Sequence, residues 1–503
     1  MAQAFADRLQ QFIAGEQNIT GAGIKNSTLI RKFYILFGLK SAWLGKENKE
    51  NLDDLSEIIT RSALFGLEEN DYQTDYYSHR GSILQPNNID DSIQAELQYT
   101  DMALQFLMDL YYGNTAPVLG YNGLNYSTSC DDIPALLASH LSSHTLSVMT
   151  SEQSNKLPEI IAMEKKIARL HAIITDSDFK EVNILSGAVY GKNKPLLVKL
   201  YQLGILDSLN MNAPDSTIKK KVKEAQRQFN LYDDGTLRIT TIEELNVPLS
   251  VRLRQLKLSI NYYRWLYCLT RNQRVIVVNI PAAYLKVYHN GNVILEMRMI
   301  VGKRSTPTPT LASRVNEVIL YPYWNVPHSI ATKELLPSIK RNPGFIAAGD
   351  FQVLNKSGKI MNPYAIKWQE LTTKNFPYTI RQSTGCDNAL GLLKLNFYSP
   401  YGVYLHDTPT KGLFMLNKRF FSHGCMRMEM PIELGHLVLK NNQIAIDTLT
   451  EKGCLRNQSP ITVPADERMP VVVWYNPAGI DSSGRVIFYE DVYKKFEWMK
   501  RKK

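Results

Sequence analysis

A multidomain α+β chain, helical in its first half and β-rich in its second, is the fold class the sequence predicts. Three observations carry this. Up to about residue 270, apolar residues recur at three- and four-residue spacings, the mark of amphipathic helices. After Arg271 the pattern changes to period-two, β-branched runs divided by turn signals such as Asn290-Gly291. The length of 503 residues leaves room for two to four domains at roughly 100–200 residues each.

Met1–Gly15 reads as a short amphipathic helix without the basic-then-apolar layout of a signal peptide, which leaves a cytosolic protein or an exported one whose signal is trimmed. Helices follow at Leu29–Leu39, Leu52–Leu67, Ile89–Tyr112 and Leu157–Ile174. Asn88 to Asp91 supply N-cap candidates for the third, and Gly113-Asn114 ends it. These helices carry no clustered chemical groups and read as a scaffold over residues 1–190. Residues 191–247 form a small three-helix unit, with helices at Leu196–Leu206 and Ile218–Phe229, a turn at Asp233-Asp234-Gly235, and a third helix from Thr241. A linker helix spans residues 248–270. The strands expected beyond it are Arg274–Asn279, Ala283–Tyr288, Val293–Val301, Val318–Leu320, Gly402–Leu405 and Pro470–Tyr475. The second and third of these make a hairpin. They belong to one domain over residues 271–503, in which 305–368, rich in Pro, aromatic residues and short helices, reads as an insertion.

Composition narrows the class. Lys plus Arg exceeds Asp plus Glu by 58 − 48 = +10, which favours anionic partners such as nucleic acid, membranes or wall polymers. The excess is diffuse, with small clusters only at Lys219–Lys223 and Lys500–Lys503. No basic-aromatic stripe or motif supports nucleic-acid binding, so none is expected. No apolar run reaches the ~18 residues of a membrane span. The five cysteines, Cys130, Cys268, Cys386, Cys425 and Cys454, form no CxxC pair, and their odd count leaves at least one thiol free. His140-x-x-x-His144 has zinc-like spacing but lacks a following Glu and a third ligand. Ser216-Thr217-Ile218-Lys219 matches a Ser-x-x-Lys element without its companion motifs, and Gly21-Ala22-Gly23 lacks the rest of a dinucleotide fingerprint. No metal site is expected.

Chemistry concentrates at Phe421-Ser422-His423-Gly424-Cys425-Met426-Arg427, preceded by Tyr404-Leu405-His406-Asp407-Thr408-Pro409. A cysteine transfers acyl groups as thiolate and needs a base or a positive environment beside it. Histidine suits that role because its pKa lies near working pH. His406 ends a predicted strand 425 − 406 = 19 positions before Cys425, room for a loop and return. Gly424 permits a sharp turn that aims nearby peptide N–H groups at a reacting carbonyl. Tyr404, two residues before His406, shares its face; its hydroxyl orients substrate or the ring simply packs. A lone Cys is most often a small buried hydrophobe, and it is the company of His406, Ser422 and Arg427 that tips the balance here.

These residues resemble the L,D-transpeptidases of bacterial cell walls (YkuD-type catalytic domain), whose pattern is a histidine followed by Ser/Thr-His-Gly-Cys. The likeness is to the large periplasmic subfamily with scaffold, peptidoglycan-binding-like and capping domains. Tyr323-Trp324-Asn325-Val326-Pro327 carries it, with Arg381-Gln382 through Gly385 to Asn388-Ala389-Leu390-Gly391, and Tyr404–Pro409 leading to Ser422–Arg427. Upstream, Ala225-Gln226, Asp234-Gly235 and Thr241 to Leu245-Asn246 resemble the peptidoglycan-binding-like unit, with Ala225 where Phe is usual and Arg238 in place of Gly. Glu96–Gly113 resembles the family's scaffold helix.

The resemblance implies a mostly β catalytic fold with a sandwich-like core, a capping subdomain over residues 305–368, and a periplasmic, monomeric enzyme. Cys425 would attack the carbonyl of the third, diamino-acid residue of a tetrapeptide stem and expel D-Ala, with His406 as base. A neighbouring stem's amine would resolve the thioacyl-enzyme into a 3→3 cross-link, without a cofactor. His423 and Gly424 join the catalytic set. Tyr404, Arg427, Ser422, Trp324, Asn325 and Asn388 join the substrate-binding set, with carbapenem β-lactams as covalent inhibitors. For Arg427 a substrate carboxylate and a loop-pinning salt bridge compete; for Trp324, cleft lining and core packing; for Ser422, loop holding is preferred. Cys386 reads as structural, with a disulfide to Cys425 as the alternative.

Overall fold

The computed structural model describes residues 2–14, 23–75, 77–78, 82–83, 86, 88–125, 130–150, 157–185, 194–441, 446, 449, 454 and 458–500. The expected boundary at 190/191, Gly15, Gly21-Ala22 and the terminal 501–503 lie outside them.

Helices Ala2–Ala14, Ser27–Phe37, Lys49–Thr60, Ile89–Tyr112 and Ile133–Ser142 share one core, with the 89–112 helix at its centre. The Asn88 side chain accepts the Asp91 N–H at 2.8 Å, as an N-cap should. Gly113 closes the helix at φ +80°, and a side chain there would run into the Asn261 carbonyl. The expected 52–67 helix breaks at Arg61 and continues as a 3₁₀ turn, Ser62–Phe65. Glu96 is buried, and its carboxylate accepts the N–H groups of Ala42, Trp43 and Leu44 and the Ser41 hydroxyl, organising that turn.

Pro158–Ile174, the short helices Lys194–Gln202, Asp215–Gln228 and Ile239–Leu245, and the long Leu249–Thr270 helix form a second core. Val275, Val277, Val472 and Trp474 belong to it, so the small helical unit is continuous with the strands that follow. Its motif residues act internally: Gln226 accepts the Gly235 N–H at 2.7 Å and donates to the Thr236 carbonyl at 2.9 Å. Asn246 pairs both ways with the Ile184 backbone at 2.7 and 2.8 Å. Arg238, which replaces a glycine of the pattern, pairs with Asp234 at 2.5 Å. A disulfide joins Cys130 to Cys268 at the end of the long helix.

The β-rich domain is a ring of strands. In order around it stand Leu393–Phe397, Leu405–His406, Met426–Met428, Asn292–Gly302, Tyr284–His289, Val275–Asn279, Pro470–Trp474 and Leu311–Leu320. Pairing of Leu393–Phe397 with Leu311–Leu320 closes the ring, so the expected sandwich is shut along this edge. Alternating residues fill it, among them Ile276, Leu285, Met299, Val318, Leu395, Leu405 and Met426. The hairpin turn at Asn290-Gly291 has both residues at positive φ (49° and 75°), as its sequence predicts.

A separate antiparallel sheet, Trp324–Asn325, Phe351–Leu354, Ile360–Met361 and Thr379–Gln382, packs on its own core of Val326, Ile339, Ile346, Val353, Trp368 and Ile380. This unit is threaded between Leu320 and Leu393, two residues paired in the ring. It differs from the 305–368 span expected for the insertion: Leu311–Leu320 is a ring strand, and Thr379–Gln382 belongs to the small sheet. The Pro-rich stretch before Leu311 hid the strand, whose burial is set by the ring and not by alternation.

Candidate active site

The strand pairing builds the site. Leu405 stands opposite Met426 and His406 opposite Arg427 in a parallel pair. Because side chains alternate, Leu405 and Met426 enter the core while His406 and Arg427 face outward. Tyr404 and Cys425, one step back on each chain, share that outer face; the Met426 N–H donates to the Tyr404 carbonyl at 3.1 Å. The rings of Tyr404 and His406 lie edge to face, 5.6 Å between centroids.

Cys425 is half-buried and carries the free thiol among the five cysteines. Cys386 bonds to Cys454, so the alternative pairing with Cys425 does not form. Burial pushes the Cys425 thiol above its ordinary range, and hydrogen bonds from the Tyr404 backbone and hydroxyl, with the charges of Lys394 and Arg427, pull it back. His406 is buried, and its Nδ1–H donates to the Asp407 carbonyl at 2.5 Å. That bond fixes the tautomer and leaves the Nε2 lone pair as a base. Burial first, then Arg427 and Lys394, depress the imidazole to about 3, so it is neutral at neutral pH. The Asp407 carboxylate is engaged elsewhere, with the Leu392 N–H at 2.9 Å and the Lys411 ammonium.

The loop before the thiol is pinned from three sides. Ser422 Oγ donates to the Cys425 carbonyl at 2.5 Å and accepts the Gly424 N–H at 3.2 Å. Thr308 Oγ1 donates to the Gly424 carbonyl at 2.9 Å, and Thr306 Oγ1 to that of Ser422 at 3.1 Å. Gly424 adopts φ +114°, open in practice only to glycine. With the Gly424 and Met426 N–H groups committed, the oxyanion hole expected around Cys425 loses two of its three amide donors.

The remaining expected residues divide. Arg427 lies in the site; one guanidinium nitrogen donates to Thr410 Oγ1 at 3.2 Å, and its buried Nε has no partner. No carboxylate pairs with it among the described residues, so the loop-pinning salt bridge is absent there. His423 is exposed and pairs with Glu334, in the unit that carries the small sheet, at 2.8 Å. Asn388 is buried, and its amide serves the Pro322 and Ser383 carbonyls and the Leu390 N–H, folding its own loop. Trp324 tilts against Phe351, 6.3 Å between ring centroids, on the edge strand of the small sheet, and Asn325 beside it is exposed. His140 donates or accepts at Thr145, and His144 lies 3.1 Å from Asn51 Oδ1.

Two residues escaped the sequence. Lys394 and Asn396, on Leu393–Phe397, fall on the outer face next to His406 and Tyr404. The alternation Leu-Lys-Leu-Asn-Phe signals that face, but only the register with His406 brings it to the site.

Residues 273–446 match the L,D-transpeptidase catalytic domain family, YkuD, and residues 28–165 match the Scaffold domain family. A curated Haemophilus influenzae protein named "Putative L,D-transpeptidase" is 37% identical over 219 residues, 43% of this chain and 44% of its own length. The chain thus spans under half of that relative. Among solved structures, an L,D-transpeptidase in complex with imipenem, LdtMt1, is 17% identical over 40% of this chain and 58% of its own, with a TM-score of 0.19. The L,D-transpeptidase of Stackebrandtia nassauensis is 14% identical over 60% of this chain and 96% of its own, with a TM-score of 0.21. Among the described residues no helix is long and apolar enough to cross a membrane. Residues 273–446, with the thiol and imidazole on one face of the ring, are thus similar to the L,D-transpeptidase catalytic domain family YkuD, in a chain whose residues 28–165 are similar to the Scaffold domain family.

Proposed function

We propose that the protein is a peptidoglycan L,D-transpeptidase with Cys425 as nucleophile and His406 as base. The observation that carries this is the free thiol of Cys425 on the same outer face as His406, Tyr404 and Arg427, on paired strands. Cys425 Sγ attacks the carbonyl that joins the third-position diamino acid to the terminal D-Ala, and its proton passes to His406 Nε2. The tetrahedral oxyanion is met by the Cys425 N–H and the Tyr404 hydroxyl. The C–N bond breaks, His406 returns the proton to the departing amine of D-Ala, and a thioester remains. The side-chain amine of a second stem attacks the thioester and gives its proton to His406. The sulfur leaves as thiolate and is reprotonated, completing a 3→3 cross-link by ping-pong acyl transfer. No cofactor takes part in these steps.

Arg427, with an unpartnered buried Nε, is suited to a substrate carboxylate. The 191–247 unit serves as the peptidoglycan-binding-like domain, and the sheet from Trp324 to Gln382 as the cap. Two disulfides support an oxidising, extracytoplasmic location such as the periplasm.

Incubation with a disaccharide-tetrapeptide tests the proposal. Wild type is expected to release D-Ala and form a dimer, and Cys425→Ala neither. A tripeptide product would instead mean carboxypeptidase action, and an exchanged tetrapeptide D-amino-acid exchange, by the same site. No product from folded protein would leave a wall-binding scaffold. A carbapenem is expected to add once to wild type and not to Cys425→Ala, read by intact mass.

A further inference from the structure

Lys394 stands directly across from His406, and His406 stands directly across from Arg427, on three adjacent strands. Lys394 and His406, opposed in an antiparallel pair, have Cβ atoms roughly 4.5–5.5 Å apart, and Arg427 pairs with His406 across the parallel strand. The imidazole is therefore flanked by a cation on each side. The Lys394 ammonium lies 3.9 Å from the centroid of the Tyr404 ring, whose hydroxyl reaches the thiol. Such a contact holds an ammonium in place at modest strength.

What surrounds this lysine sets it apart from a solvated one. Its side chain is half-buried, and among the described residues it forms no ion pair. Glu317, on the neighbouring ring strand, is the carboxylate that acts on it, and Glu317 is held by the Asn396 amide at 2.8 Å. On the other side stand Tyr404, His406, Cys425 and Arg427. The Asp407 carboxylate, next in sequence to His406, is occupied by Lys411 and the Leu392 N–H. Among the described residues, the site's two cations thus face no carboxylate other than Glu317, an environment that favours an anion.

Building on the transpeptidase reading, we propose that Lys394 is a positioning residue of the reaction. Fixed over Tyr404 and across from His406, its ammonium stabilises negative charge on Cys425 and opposes lasting protonation of His406. The proton that leaves the thiol then rests only briefly on the imidazole before passing to the leaving amine, and the free site holds a neutral thiol beside a neutral imidazole. The charge of Lys394 lowers the thiol's proton affinity and that of the imidazole alike, as that of Arg427 does.

The test is the pH dependence of Cys425 alkylation by iodoacetamide, with disulfides intact and Cys425→Ala as background. Lys394→Met is expected to move the alkylation midpoint up by about half to one pH unit, a roughly three- to tenfold slower reaction near neutrality. Lys394→Arg is expected to keep the wild-type midpoint. The His406 imidazole, followed by NMR, is expected to titrate at higher pH in Lys394→Met. Equal midpoints in wild type and Lys394→Met, or a shift of the same size in Lys394→Arg, would overturn the proposal and leave Lys394 a packing residue. If Lys394→Met does not fold, Lys394→Gln carries the same comparison. Alkylation reads the electrostatics of the thiol whether or not stems are cross-linked. Failure of the transpeptidase reading would appear in the muropeptide products instead.

Discussion

His423 Nε2 donates to Glu334 Oε1 at 2.8 Å, tying the loop that bears the thiol to the capping unit. On the proposed mechanism the histidine nearest Cys425 in sequence acts as a strut, and the distant His406 serves as base. His423→Ala is expected to keep carbapenem acylation within a few-fold of wild type, since exposed pairs contribute about 0–1 kcal/mol. His406→Ala is expected to lose ~10²–10⁴-fold. Acylation rates by intact mass separate the two; equal losses would put His423 back in the catalytic set.

Acid stability should carry the signature of a buried neutral imidazole. His406 is depressed to about 3 in the folded chain, against ~6.5 when unfolded. Between these values the unfolded state binds the extra proton, so stability falls as pH falls. The slope from this residue is about 1.4 kcal/mol per pH unit between roughly pH 6 and 4. Urea unfolding of wild type and His406→Gln at pH 7, 5 and 4 is expected to show wild type losing the more of the two; parallel losses would contradict the assignment.

Thiol counting gives a sharp number. Unfolded without reductant, the chain is expected to take up one iodoacetamide, and after reduction five. Cys386→Ser is expected to lower stability by about 2–4 kcal/mol, the usual contribution of a disulfide, and to loosen the loop that Asn388 organises. Denaturation followed by ring-domain tryptophan fluorescence measures it.

Gly424→Ala probes the turn before the thiol. A methyl group there has room, its nearest contact being the Pro307 carbonyl at 3.6 Å. The cost comes from the backbone, since φ +114° is closed to alanine; strain of ~1–3 kcal/mol is expected. Relaxing it swings Cys425 away from Tyr404, so acylation is expected to fall further than the melting temperature. Unchanged acylation would show that the turn does not aim the thiol.

Local order was legible and long-range order was not. The 89–112 helix and the Asn290-Gly291 hairpin rest on spacings of a few residues, and the 404–427 motif on two short strings nineteen positions apart from His406 to Cys425. Lys394 reaches the site through its antiparallel register with His406, which no motif around it announces. Cys130 and Cys268 lie 138 residues apart, and Cys386 and Cys454 68 apart, with no local pattern to pair them. The capping unit was misplaced because its last strand, Thr379–Gln382, returns after a stretch of short helices and turns. The loop hydrogen bonds of Asn388 were not legible for a related reason: hydrogen bonds within a loop leave no periodicity.

The paired state of Cys130, Cys268, Cys386 and Cys454 also bears on how long the enzyme stays usable. Peroxides and mixed disulfides attack the thiolate, and a sulfenic acid becomes a disulfide only when a resolving thiol is near. Cys425 rests mainly protonated and has no such neighbour within the chain. Surroundings that close the two structural bridges therefore leave Cys425 reduced, and on the proposed mechanism its lifetime between turnovers is set by how seldom the thiol ionises before a stem peptide arrives.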